Sequence, residues 1–411
     1  MSAEDITVIV GAGQAGAELA SALRQQKYAG RIVLVGEEPH LPYRRPPLSK
    51  TYLSGEAAVD SLLIRNEAAY AKLGIECRVG ARAVYIDRAA KALQFEDGSA
   101  QTYTRLALAT GGRPRKLDIP GHDLAGVHYV RTIADVDRLR AELAPGRRLV
   151  VIGGGYIGLE IAAVAVKLGA QVTLLEALPR VLARVATAEL SAFYERLHRG
   201  RGVDLRTGAG VERLDGAGRV ETVVLKDGSR MPADLVVVGI GLLPNQELAA
   251  ASGLAVDNGI VVDAYARTSD PDIVAAGDCA RHHNGFLGRS LRLESVPGAQ
   301  EQARTAAMTL CGAAQAHAAV PWFWSDQYDL KLQMVGIADG HDQQVVRGDL
   351  GGDSFAVFYL KDGALISATT VNRPQDFMLA KRLVAGQARV AAEHLADEAV
   401  PLKDHLSVLS S

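Results

Sequence analysis

Six glycines and a few charged side chains carry the chemistry open to this sequence. Gly11, Gly13 and Gly16 make one G-x-G-x-x-G spacing, and Gly153, Gly155 and Gly158 make a second. Such a triplet suits a dinucleotide's pyrophosphate. The first glycine makes the tight turn, the second lets the backbone approach the phosphates, and the third lets a helix pack on a strand. Each triplet is followed by a strand ending in an acid, Glu37 or Glu176, placed to accept from ribose hydroxyls. Glu160 adds a carboxylate that the fingerprint does not require, expected in the first helical turn beside a cofactor. Asp278 follows a short apolar strand and Gly277. It can take hydroxyl donors from a polyol chain, which a flavin has and a nicotinamide nucleotide lacks; the alternative is a plain β-turn aspartate. Arg45 and Lys50 are cations either beside the pyrophosphate or in an exposed proline-rich loop.

These groups need strands and helices to hold them. Residues 6–10 and 31–37 read as buried strands around the first triplet, and 150–152 and 171–176 do so around the second. The duplication continues downstream. Asp97-Gly98 and Asp227-Gly228 each signal a hairpin, and each hairpin is followed by an apolar strand running into Thr110-Gly111 or into Gly239 and Gly241. Each half therefore reads as a doubly wound sheet, a β-meander and a closing strand, one half interrupting the other. Prolines keep 41–50 extended. From Pro321 the character changes to a small α+β domain that holds both tryptophans, Trp322 and Trp324, several strands and a helix over 375–385. The fold class is α/β: two Rossmann-like nucleotide-binding domains and a C-terminal α+β domain.

Composition narrows the function. At 411 residues the chain suggests two or three domains, and 45 basic against 47 acidic residues exclude a global attraction to nucleic acid or a polybasic membrane contact. The three scattered cysteines, Cys77, Cys279 and Cys311, fit a reducing compartment and cannot ligate a four-cysteine iron–sulfur cluster. Cys279 reads as small packing. His282-His283 is expected in a surface turn, with no metal. Neither a signal peptide nor a transmembrane run is visible, so a soluble cytoplasmic protein is expected.

The sequence resembles the NADH-dependent ferredoxin reductases of the putidaredoxin reductase type, flavoproteins with a glutathione-reductase-like fold. The residues that carry this resemblance run through nearly the whole chain. They include the two fingerprints, Arg45-Pro-Pro-Leu-Ser-Lys50, Leu108-Ala-Thr-Gly-Gly-Arg113, Gly277-Asp-Cys-Ala-Arg281, Glu294-Ser-Val-Pro297 and Pro321-Trp-Phe-Trp-Ser-Asp-Gln-Tyr328. The resemblance implies an FAD domain over 1–112 and 242–320, an NAD domain over 113–241 and a C-terminal domain over 321–411. Ala15, Glu37, Arg45, Lys50, Ala83, Arg131, Asp278 and Val296 then fall where the family contacts FAD. Thr110 and Gly111 join that set. Tyr156, Ile157, Glu176 and Gly241 join the second triplet around NAD. The family's Val-Pro-Asn appears here as Val296-Pro297-Gly298, without the amide side chain.

The resemblance also implies the reaction: hydride transfer from NADH to FAD, then single-electron transfers to a two-iron two-sulfur ferredoxin serving a haem monooxygenase or a ring-hydroxylating dioxygenase. Lys50 would sit by the flavin N5, paired with Glu160, and Trp324 would cap the cofactor as a water-excluding ring. Arg65 and Arg304, with Arg289 and Lys331, are candidates for a basic face towards an acidic ferredoxin. Disulphide-reducing relatives carry cysteine in the stretch corresponding to 41–50, which has none here. A rubredoxin reductase or an NADH oxidase remains an alternative, as does an apoptosis-inducing-factor-like binding protein, against which the near-neutral charge counts.

Overall fold

The computed structural model describes residues 4–406. The chain divides into two compact units, one made of 1–44, 60–113 and 242–321, the other of 45–59, 114–241 and 322–411. In the first unit five parallel strands line up in the order Ile273–Ala275, Arg105–Leu108, Ile6–Val10, Arg31–Val35, Ile75–Arg78. Alternation along these strands feeds two cores. Ile9, Ile32 and Leu34 pack with Leu19, Leu23 and Ala303 on the helical side. Val8, Val10, Val33 and Val35 pack with Ile86, Leu93 and Phe95 of an antiparallel meander on the other. Helices Gln14–Gln25 and Val296–Leu310 pack together on the helical side, where Ala15, Ala20, Ala299, Ala303 and Ala307 allow a close approach.

The second unit repeats the plan. Its parallel sheet runs Asp204–Thr207, Gln171–Glu176, Arg148–Ile152, Leu235–Val238, Val127–Tyr129. Its own meander buries Leu214, Val223, Leu225 and Met231 against Val150, Ile152 and Val236. The same unit holds a five-stranded antiparallel sheet in the order Trp322–Gln327, Leu330–Gly336, Ala364–Val371, Phe355–Lys361, Gln343–Gly348, with helix Pro374–Ala385 packed on it. The duplication read from the two Asp-Gly hairpins is thus visible element by element. No helix among the described residues is long and apolar enough to cross a membrane.

Two local expectations need correction. Pro46–Ser49 is a tight 3-10 turn and not an extended stretch, because proline's fixed φ suits a first helical turn, where its missing N–H is not needed. Nor is the segment an exposed loop: Leu48 and Ser49 are buried. His282-His283 lies in strand Ala280–Asn284, not in a turn, and alternation along that strand sends His282 inward to 2% exposure. Its ring meets the edge of His317, with both nitrogens unpartnered among the described residues.

Buried histidines set an acid limit on the fold. Burial lowers the pKa of His198 to about 4 and that of His282 to about 3, from an ordinary 6.5. Each ring stays neutral in the fold where the unfolded chain would be protonated. Stability is therefore complete above pH 6.5 and drains away as pH falls through the folded values. Each ring contributes on the order of 3 kcal/mol to that loss. Urea midpoints should be level between about pH 7 and pH 8 and fall steeply below about pH 6. A level midpoint through the acid window would contradict neutral burial.

Candidate functional site

In the first unit the carboxyl ends of the parallel strands bring the expected residues to one sheet edge. Gly11 follows Ile6–Val10, Glu37 follows Arg31–Val35, Thr110 follows Arg105–Leu108, and Asp278 follows Ile273–Ala275. The strand order reverses beside Ile6–Val10, and in such sheets a ligand crevice opens there. The glycines divide by role. A Cβ on Gly11, at φ +115°, would stand 2.0 Å from the Ala109 carbonyl oxygen, and one on Gly16 would stand 1.9 Å from that of Gly11. A Cβ on Gly13 would meet nothing within 4 Å. Packing explains the outer two glycines, whereas the space beside the middle one is open.

The second fingerprint divides in the same way. Cβ atoms on Gly153 and Gly158 would meet carbonyl oxygens at 2.4 and 2.1 Å, whereas on Gly155 the nearest atom is 4.0 Å away. Gly13 and Gly155 are also the N-caps of helices Gln14–Gln25 and Tyr156–Lys167, and neither can offer a side-chain cap. By contrast, Asn66, Thr132 and Ser295 cap their helices with side-chain oxygens. Both helix ends lack a side-chain cap and have open space beside the cap residue, which fits a phosphate at each. Ile157, 47% exposed although apolar, stands beside the second of these openings.

The acids that close each half are held differently. Glu37 is exposed and lies 3.5 Å from Arg82. Glu176 is fixed: Oε2 accepts from Gly154 N at 2.7 Å and Oε1 from Leu178 N at 2.8 Å. Arg180, close to Glu176 in sequence, spends its guanidinium on the carbonyls of Ala183, Ala186 and Thr187 and on the Ser191 hydroxyl. Arg184 lies against Gly241.

Around Asp278, Gly277 N donates to Gln302 Oε1 at 2.9 Å, leaving Gln302 Nε2 a buried donor with no partner among the described residues. Thr110 and Asn245 bind each other's carbonyls at 2.6 and 2.9 Å. Gln302 lies in the family-like stretch Glu301-Gln-Ala-Arg304, where sequence reading assigned it no role, and Asn245 carried no signal. Cys279 is fully buried with its thiol pKa raised by burial, so it is packing. Ala83 lies in strand Ala83–Asp87, and Val296 is the first residue of its helix.

The second unit assembles a charged cluster from three distant segments. Lys50 Nζ lies 2.6 Å from Glu160 Oε2. The Ser49 hydroxyl donates to Oε2 at 2.5 Å, and the Ser325 hydroxyl donates to Oε1 at 2.6 Å. Glu160 is 2% exposed and Lys50 17%. Glu160 falls in the second turn of its helix, not the first, because Gly155 is the cap and the helix opens at Tyr156. There it faces strand Trp322–Gln327 and the Pro46–Ser49 turn. Arg45 Nη1 donates to the Arg131 carbonyl at 2.6 Å. Tyr156 packs its ring on Phe323 and donates its hydroxyl to Met334 Sδ at 3.0 Å. Trp324 stacks on Trp322 with ring centres 5.6 Å apart, and Lys381 Nζ sits 4.4 Å from the centre of the Trp322 ring. Of the candidate docking cations, Arg304 is already paired with Glu18 and Glu301.

Comparison with known proteins agrees with this geometry. Residues 6–303 match the pyridine nucleotide-disulphide oxidoreductases, and residues 322–406 match the reductase C-terminal family. The chain is 48% identical over 410 residues to putidaredoxin reductase of Pseudomonas putida, covering 98% of this chain and 97% of that one. It is 44% identical to the ferredoxin–NAD(+) reductase component of the anthranilate 1,2-dioxygenase system of Burkholderia cepacia, covering 99% of this chain and 100% of that one. Among solved structures, the covalent putidaredoxin reductase–putidaredoxin complex matches with a TM-score of 0.96 and 47% identity, covering 100% of both chains.

Proposed function

The chain belongs to the pyridine nucleotide-disulphide oxidoreductase family, and from that premise we propose that it is an FAD-dependent NADH–ferredoxin reductase. It passes electrons to a two-iron two-sulfur ferredoxin that supplies a haem monooxygenase or an aromatic-ring dioxygenase. The observation that carries this reading is the Lys50–Glu160 ion pair, built next to a segment, 41–50, that holds no cysteine for disulphide chemistry.

Bound FAD supplies the conversion from a two-electron donor to one-electron steps. The chain's part is to hold and orient. Gly11, Gly13, Ala15, Gly16, Glu37, Arg45, Ala83, Thr110, Gly111, Arg131, Asp278 and Val296 would hold the FAD, with Lys50 and Trp324. Gly153, Gly155, Tyr156, Ile157, Gly158, Glu176 and Gly241 would hold NADH. Glu160 keeps the Lys50 ammonium in one place, so its positive charge would already be ordered when FAD is bound and reduced. The three cysteines are free thiols, as a reducing compartment keeps them, and we place the enzyme in the cytoplasm.

NADH should be preferred over NADPH. The Glu176 carboxylate is locked by two backbone donors, its remaining lone pairs suit a ribose diol, and both terminal nitrogens of Arg180 are bonded elsewhere. A 2′-phosphate would meet that fixed negative charge, and kcat/KM should favour NADH by on the order of a hundredfold. A higher value with NADPH refutes the assignment.

The test of the function is direct. The purified protein should be yellow, bleach with NADH, and reduce a two-iron two-sulfur ferredoxin in a coupled assay. Rapid oxygen consumption with no ferredoxin reduced would make it an oxidase instead.

A further inference from the structure

Ser325 leads away from Glu160 into a buried polar chain that the reductase reading leaves unexplained. Gln327 Nε2 lies 3.2 Å from Ser325 Oγ, and Gln327 Oε1 lies 2.8 Å from His198 Nε2. His198 Nδ1 lies 3.1 Å from the Tyr328 hydroxyl. Ser325, Gln327 and His198 are at most 1% exposed, while Tyr328 is half-buried.

One fact fixes the direction of every bond. A carboxylate only accepts, so the single Ser325 proton goes to Glu160 Oε1. Towards Gln327 the hydroxyl must then accept, which turns the amide nitrogen to Ser325 and the amide oxygen to His198. That oxygen needs a donor, so His198 carries its proton on Nε2. Its Nδ1 is left to accept from the Tyr328 hydroxyl. Burial keeps the ring neutral, as this tautomer requires. Four hydrogen bonds therefore run one way, from the half-buried phenol to the buried carboxylate, and bonds in such a chain polarise one another.

The backbone supplies a second, independent observation. Tyr328 has φ +56°, a left-handed conformation that bulky residues avoid, at the first of the two residues joining strands Trp322–Gln327 and Leu330–Gly336. Glycine or asparagine would occupy that position with less strain. Tyrosine supplies what they lack, a hydroxyl that reaches His198. Arg201 steadies it from outside, 5.2 Å from the ring centre and 2.9 Å from Asp329.

We propose that Tyr328, His198, Gln327 and Ser325 are positioning residues for Glu160, a one-way donor chain that holds the carboxylate in a single orientation facing Lys50. Ser49 and Lys50 both bind Oε2. Without a donor on Oε1 the carboxylate could rotate and share the ammonium between its two oxygens. The proposal rests on reading Lys50–Glu160 as the reductase's charge pair.

Nitrogen-15 NMR of histidine-labelled holoenzyme tests the chain directly, and His198 should be the neutral Nε2–H tautomer. Gln327→Glu, close to isosteric, offers only acceptors and should draw the Ser325 proton away from Glu160. It and Ser325→Ala should slow flavin reduction at saturating NADH about tenfold, the size of one lost hydrogen bond, with NADH affinity unchanged. Ser325→Thr, which restores the hydroxyl, should recover the rate. Tyr328→Phe keeps the ring and the turn, so it should fold normally while moving the His198 Nδ1 resonance. An Nδ1–H tautomer overturns the proposal. So do wild-type rates in Ser325→Ala and Gln327→Glu alongside a slow Lys50→Ala. A wild-type rate in Lys50→Ala itself refutes the charge-pair reading, and this proposal with it.

Discussion

Lys50→Ala should destabilise the protein by about 3 kcal/mol, and adding Glu160→Ala should return part of that loss. The asymmetry comes from burial. Glu160 is 2% exposed, so removing its cation leaves a carboxylate inside the protein with only the Ser49 and Ser325 hydroxyls for company. Removing both groups strands no charge. In Glu160→Ala, Lys50 is the member that reaches outward, 17% exposed, and it can swing towards water. That variant should lose less stability but also lose the fixed position of the ammonium. Each single variant should keep FAD and slow its reduction by NADH, by about a hundredfold where 2.7 kcal/mol of transition-state stabilisation is lost. The double variant should be no slower than the worse single. Urea melts and stopped-flow reduction on all four proteins measure the coupling, and strictly additive effects would show that the two residues act independently.

Gly13→Ala should give a folded, colourless protein, whereas Gly16→Ala should not fold. The added methyl at Gly13 meets no protein atom within 4 Å, and φ −95° there suits any residue, so the apoprotein should melt as wild type. It would occupy the space a phosphate needs, and a loss of affinity of about a hundredfold or more is expected from that clash. At Gly16 the methyl would be driven to 1.9 Å from a backbone oxygen that cannot move aside. Gly155→Ala should repeat the Gly13 result in the other half, giving a yellow protein with a raised KM for NADH. Flavin absorbance, circular dichroism melts and steady-state kinetics separate the three outcomes. A Gly13→Ala protein with full flavin content would show that the open space is not the cofactor's.

The fingerprints were legible because each glycine answers a requirement within a few residues of itself, and the hairpins because Asp-Gly carries its own turn geometry. The Lys50–Glu160 pair was legible only through family likeness. No local rule joins residues so far apart in the chain, and even the helical turn that carries Glu160 was misjudged by one. The Pro46–Ser49 turn was missed because proline suits an extended segment and a first helical turn equally well. The burial of His282 depended on which face of strand Ala280–Asn284 points inward, and two adjacent histidines cannot reveal that. The donor chain from Tyr328 to Ser325 was invisible as a chain, although three of its four members stood in the quoted tryptophan segment. Its remaining link, His198, is brought in from helix Ala188–Gly200, far away in the chain.

Strand Trp322–Gln327 turns a different set of side chains to each face. Trp322 and Trp324 stack on one side, where Lys381 and Phe377 join Trp322. Phe323, Ser325 and Gln327 meet Tyr156, Glu160 and His198 on the other. For anyone redesigning this enzyme, one strand therefore offers two separate dials. Even-numbered positions can be varied to retune the tryptophan side while the hydroxyl and amide at odd-numbered positions stay in place. A single inserted or deleted residue ahead of the strand exchanges the two sets at once. Point substitutions, not loop grafting, are the workable route to new variants here.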